Sequence, residues 1–199
     1  MDILLLAALA ALVLQLLRAR EQARRIGLLG QQLQRFQIEG LMERISQGYQ
    51  RALAETDPAR QDMVWAGLVP AEMELDEQVG RFVALCARLD PALTRVSRLP
   101  LPFVERWWPG ATFDLRQLLE VHAQGMAAAV RNPAELLPRD RAHRLLAEML
   151  LFQHSCHWYC RSFAVASARL LARHQTTHAQ ALAAVAPATR AAYGAVTGV

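Results

Sequence analysis

The sequence contains no lysine, and all 22 of its basic residues are arginine. This absence excludes Schiff-base chemistry on a lysine amine and a phosphate-binding loop of the Walker type. No stretch alternates valine, isoleucine, threonine and aromatic residues as a half-buried strand would. Glycine (10) and proline (9) are too few for a disordered or collagen-like chain. With 53% hydrophobic residues, dominated by alanine and leucine, the composition predicts an all-α protein.

The sequence also lacks a strong excess of either charge, since the net charge is only +4 and no basic run stands out. We therefore expect no nucleic-acid partner. Acidic residues concentrate in segment 55–77, and none follows Glu148. Acidic and basic helices that neighbour each other in one bundle would explain this pattern. A basic C-terminal surface that binds an acidic partner or anionic lipid is the other interpretation.

Cysteine occurs only three times, at Cys86, Cys156 and Cys160. An odd number in a chain of 199 residues does not indicate a disulfide framework. We expect reduced thiols, and hence a reducing compartment such as the bacterial cytoplasm. The excess of arginine and alanine, typical of a GC-rich genome, favours a bacterial source.

The one long hydrophobic run is residues 1–17, in which Asp2 is the only charged residue. A helix of that length measures about 25 Å, close to the lower limit for crossing a bilayer. A signal peptide has positive charge before its apolar run, whereas here the positive charge follows it. The membrane-flanking residues are Arg18, Arg20, Arg24 and Arg25. The pattern predicts an uncleaved single-pass anchor, with a cleaved signal or a helix lying in the interface as alternatives.

Orientation follows from the same arginines, because positively charged flanks stay on the cytoplasmic side. We therefore predict a bacterial inner-membrane protein with its N-terminus outside and its body in the cytoplasm. Both this argument and the cysteine content place the body in a reducing compartment.

The remaining sequence predicts a helical bundle of four to six helices. Residues 18–56 form a predicted juxtamembrane amphipathic helix, whose apolar stripe slips by one position between Phe36 and Ile38. Residues 57–175 form the predicted bundle, which begins at the helix-start signal Asp57-Pro58. We expect one helix to end before Pro70 and another to end at the proline-rich loop 98–112. We expect one long helix over 139–174. Residues 176–199 are predicted to be a weakly structured tail.

Segment 152–162, FQHSCHWYCRS, holds two histidines and two cysteines. Cys156 and Cys160 fall on a helical stripe with Phe152 and Phe163, which favours burial in a core. The alternatives are a thiol switch and a metal- or haem-binding site formed by Cys156, His157 and Cys160. A structural zinc site needs a second ligand pair, and the sequence does not supply a recognisable one.

Two groups of residues are candidates for binding a partner. Trp107 and Trp108 are adjacent in the proline-rich loop, where we expect them to be unequally buried. They would contact a protein partner or lipid headgroups, or else form a lid over the bundle. His154, Trp158 and Arg161 share a helical face that resembles the centre of a protein interface. The alternative for Trp158 is packing against the juxtamembrane helix.

No catalytic motif with discriminating spacing is present in the sequence. We therefore expect a non-enzymatic interaction or scaffold protein on the cytoplasmic face of the membrane, without a cofactor. Its expected partners are lipid, through the N-terminal helix, and a protein or a second copy of the chain. The alternative is a metal- or haem-binding redox or sensor domain centred on HSCHWYC.

Overall fold

The computed structural model describes residues 2–99 and 104–199, and it confirms an all-α fold with a long apolar N-terminal helix and a helical bundle. The α-helices are α1 Asp2–Leu33, α2 Ile38–Ala54, α3 Pro58–Cys86, α4 Val104–Trp107, α5 Leu115–Arg131, α6 Pro138–Cys160, α7 Phe163–His174, α8 His178–Ala184 and α9 Pro187–Thr197. Single 3₁₀ turns occupy Pro91–Leu93 and Pro109–Ala111. A short antiparallel pair, β1 Arg95–Ser97 and β2 Thr112–Asp114, places Val96 opposite Phe113. Residues 100–103 of the predicted loop lie outside the described residues.

Helix α1 is long and apolar enough to cross a membrane. Its mean hydropathy reaches 2.0, and none of the apolar window is buried against the body. An N-terminal signal sequence has the same properties. The second half of α1 packs on the body and buries Leu29, which is 6% exposed. One uninterrupted helix thus joins the apolar segment to the folded domain.

The predicted juxtamembrane helix 18–56 is in fact two helices. The chain turns at residues 34–37, where the apolar stripe slips, and α2 then packs against α3. Gln78 of α3 accepts a hydrogen bond from the backbone N–H of Gln37 at 2.6 Å, which secures the turn. The stripe therefore changes position because the chain changes direction.

Helix α3 begins as predicted, but it does not end before Pro70. Asp57 caps it by accepting hydrogen bonds from the backbone of Ala59 and Arg60. A proline inside a helix costs about 3 kcal/mol. Buried residues on both sides, including Leu68 and Leu75, pack the two halves into one continuous helix. Packing thus outweighs the local cost of Pro70.

The C-terminal third differs most from expectation. The predicted helix 139–174 breaks at Arg161, and Ser162 starts α7 by accepting a hydrogen bond from Val165 N–H. The predicted weak tail forms α8 and α9, and Tyr193 of α9 is fully buried. Thr177 and Gln180 form a reciprocal capping box at the start of α8, which the sequence analysis missed.

A buried carboxylate joins α2, α3 and α6. Glu72 is 0% exposed; its Oε1 accepts a hydrogen bond from Tyr49 Oη at 2.7 Å, and its Oε2 lies 2.8 Å from Arg141 Nη1. The exposed pair Arg44–Glu74, at 3.4 Å, links α2 and α3 on the surface. A buried charge left without its partner is costly, whereas exposed pairs contribute little.

We predict that Arg141→Ala lowers the free energy of unfolding by about 3–5 kcal/mol, because Glu72 would then be a buried, unpaired charge. The matched control Arg44→Ala should lower it by less than about 1 kcal/mol. Urea unfolding of the detergent-solubilised full chain, followed by tryptophan fluorescence, measures both. Adding Glu72→Gln to Arg141→Ala should recover part of the loss. Equal effects of the two arginine variants would contradict this account.

Candidate functional site

The apolar part of α1 leaves the body beside the C-terminal end of α6. Arg161, which ends α6, donates a hydrogen bond to Gln22 Oε1 at 2.5 Å. Arg25 donates to the carbonyl oxygen of Tyr159 at 3.3 Å, and its guanidinium carbon lies 5.4 Å from the centroid of the Tyr159 ring. We call this part of the body the anchor end, defined by Gln22, Arg25 and residues 158–161.

The β-hairpin loop is fastened to the same anchor end. Trp158 Nε1 donates a hydrogen bond to the carbonyl oxygen of Ser97 at 3.0 Å. The next residue, Arg98, donates to the carbonyl oxygen of Gly110 at 2.9 Å and to that of Thr197 at 2.6 Å. These bonds connect both sides of the loop and the end of α9 to the end of α6.

Trp107 and Trp108 protrude from this loop, with 78% and 64% of their surface exposed. We expected the two indoles to be unequally buried, and both are largely exposed. The backbone around them is held by hydrogen bonds from Trp108 N–H to Val104 O at 2.7 Å and from Ala111 N–H to Trp108 O at 2.9 Å. The indoles are exposed on a structured turn, and they do not form a lid over the core.

The other predicted partner residues divide between surface and core. Arg161 is exposed, but His154 and Trp158 are only 1% and 3% exposed. Phe113 of β2 and Phe163 of α7 each lie with their ring centroid 4.8 Å from that of Trp158. His154 and Trp158 therefore lie inside the body, because the hairpin and α7 cover that face of α6, and of the three residues Arg161 is the exposed one.

The membrane-flanking arginines also differ in their surroundings. Arg20 and Arg24 are exposed, and Arg18 is partly exposed. Arg24 pairs with Glu21 at 2.7 Å. Arg25 binds Glu21 at 2.8 Å and packs against Tyr159, so it fastens α1 to the body.

The geometry does not support a metal site at Cys156, His157 and Cys160. No group of three or more histidine, cysteine or acidic side chains within residues 2–99 and 104–199 is placed to hold a metal ion. Burial raises the pKa of Cys156 and raises the pKa of Cys160 to about 11. Both thiols are thus protonated at neutral pH, as expected of cysteines buried in an apolar core.

Three buried histidines form a cluster that the sequence analysis did not predict. His122 Nε2 lies 2.8 Å from Ser155 Oγ, His154 Nε2 lies 3.0 Å from Ser167 Oγ, and His178 Nε2 lies 3.0 Å from Tyr193 Oη. The ring centroids of His154 and His178 are 4.5 Å apart. Ser155 Oγ donates to Leu151 O, so His122 Nε2 is the donor to Ser155. The signal available in the sequence was His122 itself, which lies on the apolar stripe of α5.

Burial keeps this histidine cluster neutral. It lowers the pKa of His122 to about 3 and, with help from neighbouring histidines, the pKa of His154 to about 3. Among the described residues, the Nδ1 atoms of both have no hydrogen-bond partner. Burial raises the pKa of Glu148, which lies on the same helix as His154, to about 7, although Thr189 donates a hydrogen bond to its carboxylate at 2.8 Å. A Cβ at Gly125 would lie 2.7 Å from Thr189 Oγ1 and 2.8 Å from Glu148 Cδ, so a side chain there would displace this pair.

Comparison of the chain with protein-family models, curated proteins and solved structures finds no match. The function is therefore inferred from the geometry. The histidine cluster is enclosed by α5 to α9, whereas Arg161 is exposed at the anchor end, and Trp107 and Trp108 are exposed on the loop bonded to it. Of these two arrangements, the exposed one is accessible from outside without rearrangement of the body.

The histidine cluster predicts a loss of stability in acid. Below about pH 6.5 the unfolded chain binds protons that folded His122 and His154 exclude down to about pH 3. Each histidine thus removes about 1.4 kcal/mol per pH unit well below pH 6.5. Glu148 acts in the opposite direction between about pH 7 and its unfolded value, because its folded pKa is raised. Two histidines outweigh one carboxyl, so we expect stability to fall between pH 6.5 and 5.

Replacing His122 by glutamine tests this prediction. The glutamine amide keeps a donor near Ser155 and does not titrate, so the stability loss between pH 6.5 and 5 should shrink by about one proton's share, roughly 1.4 kcal/mol per pH unit. Urea unfolding of the solubilised full chain at several pH values measures the slope. The control is His143→Gln on the exposed face of α6, which should leave the slope unchanged. An unaltered slope in His122→Gln would show that another group controls the acid response.

Proposed function

We propose that the chain is a single-pass membrane-anchored interaction or scaffold protein, without catalytic activity, whose body lies on the cytoplasmic face of a bacterial inner membrane. The observation that carries this proposal is the continuity of α1. Its apolar half is exposed and long enough to cross a bilayer, and its other half is docked on the bundle through Leu29 and Arg25. Such a helix would hold the body at a fixed place beside the membrane.

The cytoplasmic orientation is supported by the charges that follow the apolar segment. Arg18, Arg20 and Arg24 lie between that segment and the docked part of α1, where positively charged residues favour the cytoplasmic side. The three cysteines are free thiols, which is the usual state in a reducing compartment.

An interaction role is supported by the small size of the cavity beside α1 and by apolar residues exposed on the surface. A cavity between α1, α3, α5 and α6, lined by Leu29 and Tyr159, has a volume of about 10 Å³, roughly that of one water molecule. On the outside of the body, α3 exposes Met63, Val69 and Met73 on one broad helical face. Their exposed fractions are 66%, 37% and 60%. Methionine suits adaptable protein contacts. We infer that a protein partner or a second copy binds this face of α3.

The topology is tested with reporters fused to the C-terminus of the full chain. A reporter active only in the cytoplasm should be active, and one active only in the periplasm should be silent, because the arginine flank retains the body inside. Replacing Arg18, Arg20 and Arg24 by glutamate should disturb this orientation. Replacing the exposed Arg51 and Arg60 by glutamate is the matched control and should not. An active periplasmic reporter on the unaltered chain would overturn the proposed orientation.

The interaction role is tested by crosslinking the full-length protein in membranes and identifying the captured proteins. Met63→Gln with Met73→Gln should reduce capture severalfold, because the exposed part of these side chains would supply apolar contact area to the partner. Leu137→Gln, at a residue 71% exposed outside this face, is the control and should capture as the unaltered chain does. If the methionine variant captures the same proteins in the same amounts, the α3 face is not the partner surface.

A further inference from the structure

The two exposed tryptophans are an unusual surface feature because both indoles are held out by a structured turn. Trp107 and Trp108 expose 78% and 64% of their surface, and nearby Leu99 exposes 41%. Thr112 Oγ1 donates to the carbonyl oxygen of Pro109 at 2.6 Å, which adds to the backbone bonds of the turn. Indoles presented on an ordered backbone lose little conformational freedom when they bind.

Their position relative to α1 is given by a short chain of contacts. Gln22 of α1 contacts Arg161, and one helical turn earlier in α6, about 5 Å along its axis, Trp158 bonds to Ser97. Arg98 follows Ser97 and reaches Gly110, two residues after Trp108. Hydrogen bonds thus connect the base of the turn that carries Trp107 and Trp108, through the end of α6, to the part of α1 that follows its apolar segment.

The chemistry at this end of the body fits a lipid surface. Tryptophan is enriched where a membrane meets water, because the ring is apolar and its N–H is a donor. Arg161, Arg20 and Arg24 are exposed at the same end, and arginine is attracted to anionic headgroups. Glu21, the acidic residue in this part of α1, is paired with Arg24 and Arg25.

We propose that Trp107 and Trp108 insert into the headgroup region of the same bilayer that α1 crosses, and so give the body a second membrane contact. This inference rests on the proposed membrane anchoring by α1. Two contacts at separate points fix the tilt of the body relative to the membrane, whereas a single helix leaves that tilt to the docking of α1 alone. The occupant of this surface is lipid, and a protein or a second copy is an alternative outcome of the test.

The experiment uses the full-length protein reconstituted into vesicles of phosphatidylcholine and phosphatidylglycerol. Part of the lipid carries bromine on acyl carbons close to the glycerol, where it quenches indoles in the headgroup region. Two of the four tryptophans are in the turn, so we expect quenching of up to about half of the emission. The double variant Trp107→Phe with Trp108→Phe should lose most of this quenching. Trp65→Phe, at a residue 7% exposed in α3, is the matched control and should leave the quenched amount unchanged.

Iodide added to the water phase and vesicle flotation separate the possible outcomes. Protection from iodide together with quenching by brominated lipid supports the proposal. If the protein floats with the vesicles and iodide quenches the turn, the tryptophans face water and only this inference fails. If neither quencher reaches them, a protein contact or a second copy covers the turn, and the inference is equally overturned. If the unaltered chain does not float with the vesicles, the proposed anchoring itself fails.

Discussion

Helix α6 is buried over much of its surface, and the surrounding elements supply hydrogen-bond partners to several of its polar side chains. Glu148 takes hydrogen bonds from α9, His154 contacts Ser167 of α7, and Trp158 donates to β1. Tyr159 Oη donates to the carbonyl oxygen of Leu93 at 2.8 Å. Since a buried polar group without a partner costs about 1–3 kcal/mol, each surrounding layer is required by at least one side chain of α6. The C-terminal helices are therefore part of the bundle.

The fold could be predicted from sequence where local chemistry decides the outcome. The apolar run of α1, the Asp57-Pro58 start of α3 and the scarcity of strand-forming residues depend on neighbours in the sequence alone. The continuity of α3 through Pro70 and the break at Arg161 depend on packing between distant segments, which spacing does not reveal. The formation of α8 and α9 also depends on packing between distant segments, because Tyr193 is buried against elements far away in the chain.

The candidate site could likewise be predicted from the sequence only in part. The prolines correctly placed Trp107 and Trp108 in a loop, but we expected unequal burial of the two indoles, and both are exposed. The helical face with His154 and Trp158 was taken for a partner surface, because periodicity shows which residues share a face but not what covers it. The hairpin and α7 cover it here. The histidine cluster combines residues of three helices, so no single stretch of sequence contained its pattern.

The docking of α1 has a geometric consequence for how its length is constrained. Between Arg18 and Gln22 the chain is helical without interruption, so each residue turns the body by about 100° around the helix axis and moves it about 1.5 Å. A flexible linker would limit only the distance between the body and the apolar segment. This helical segment also sets the angle of the body around the helix axis. A single-residue insertion here would rotate Trp107 and Trp108 around the axis of the apolar part of α1, although every side chain kept its chemical character. The number of residues in this short segment thus sets the direction in which the body faces around the axis of α1.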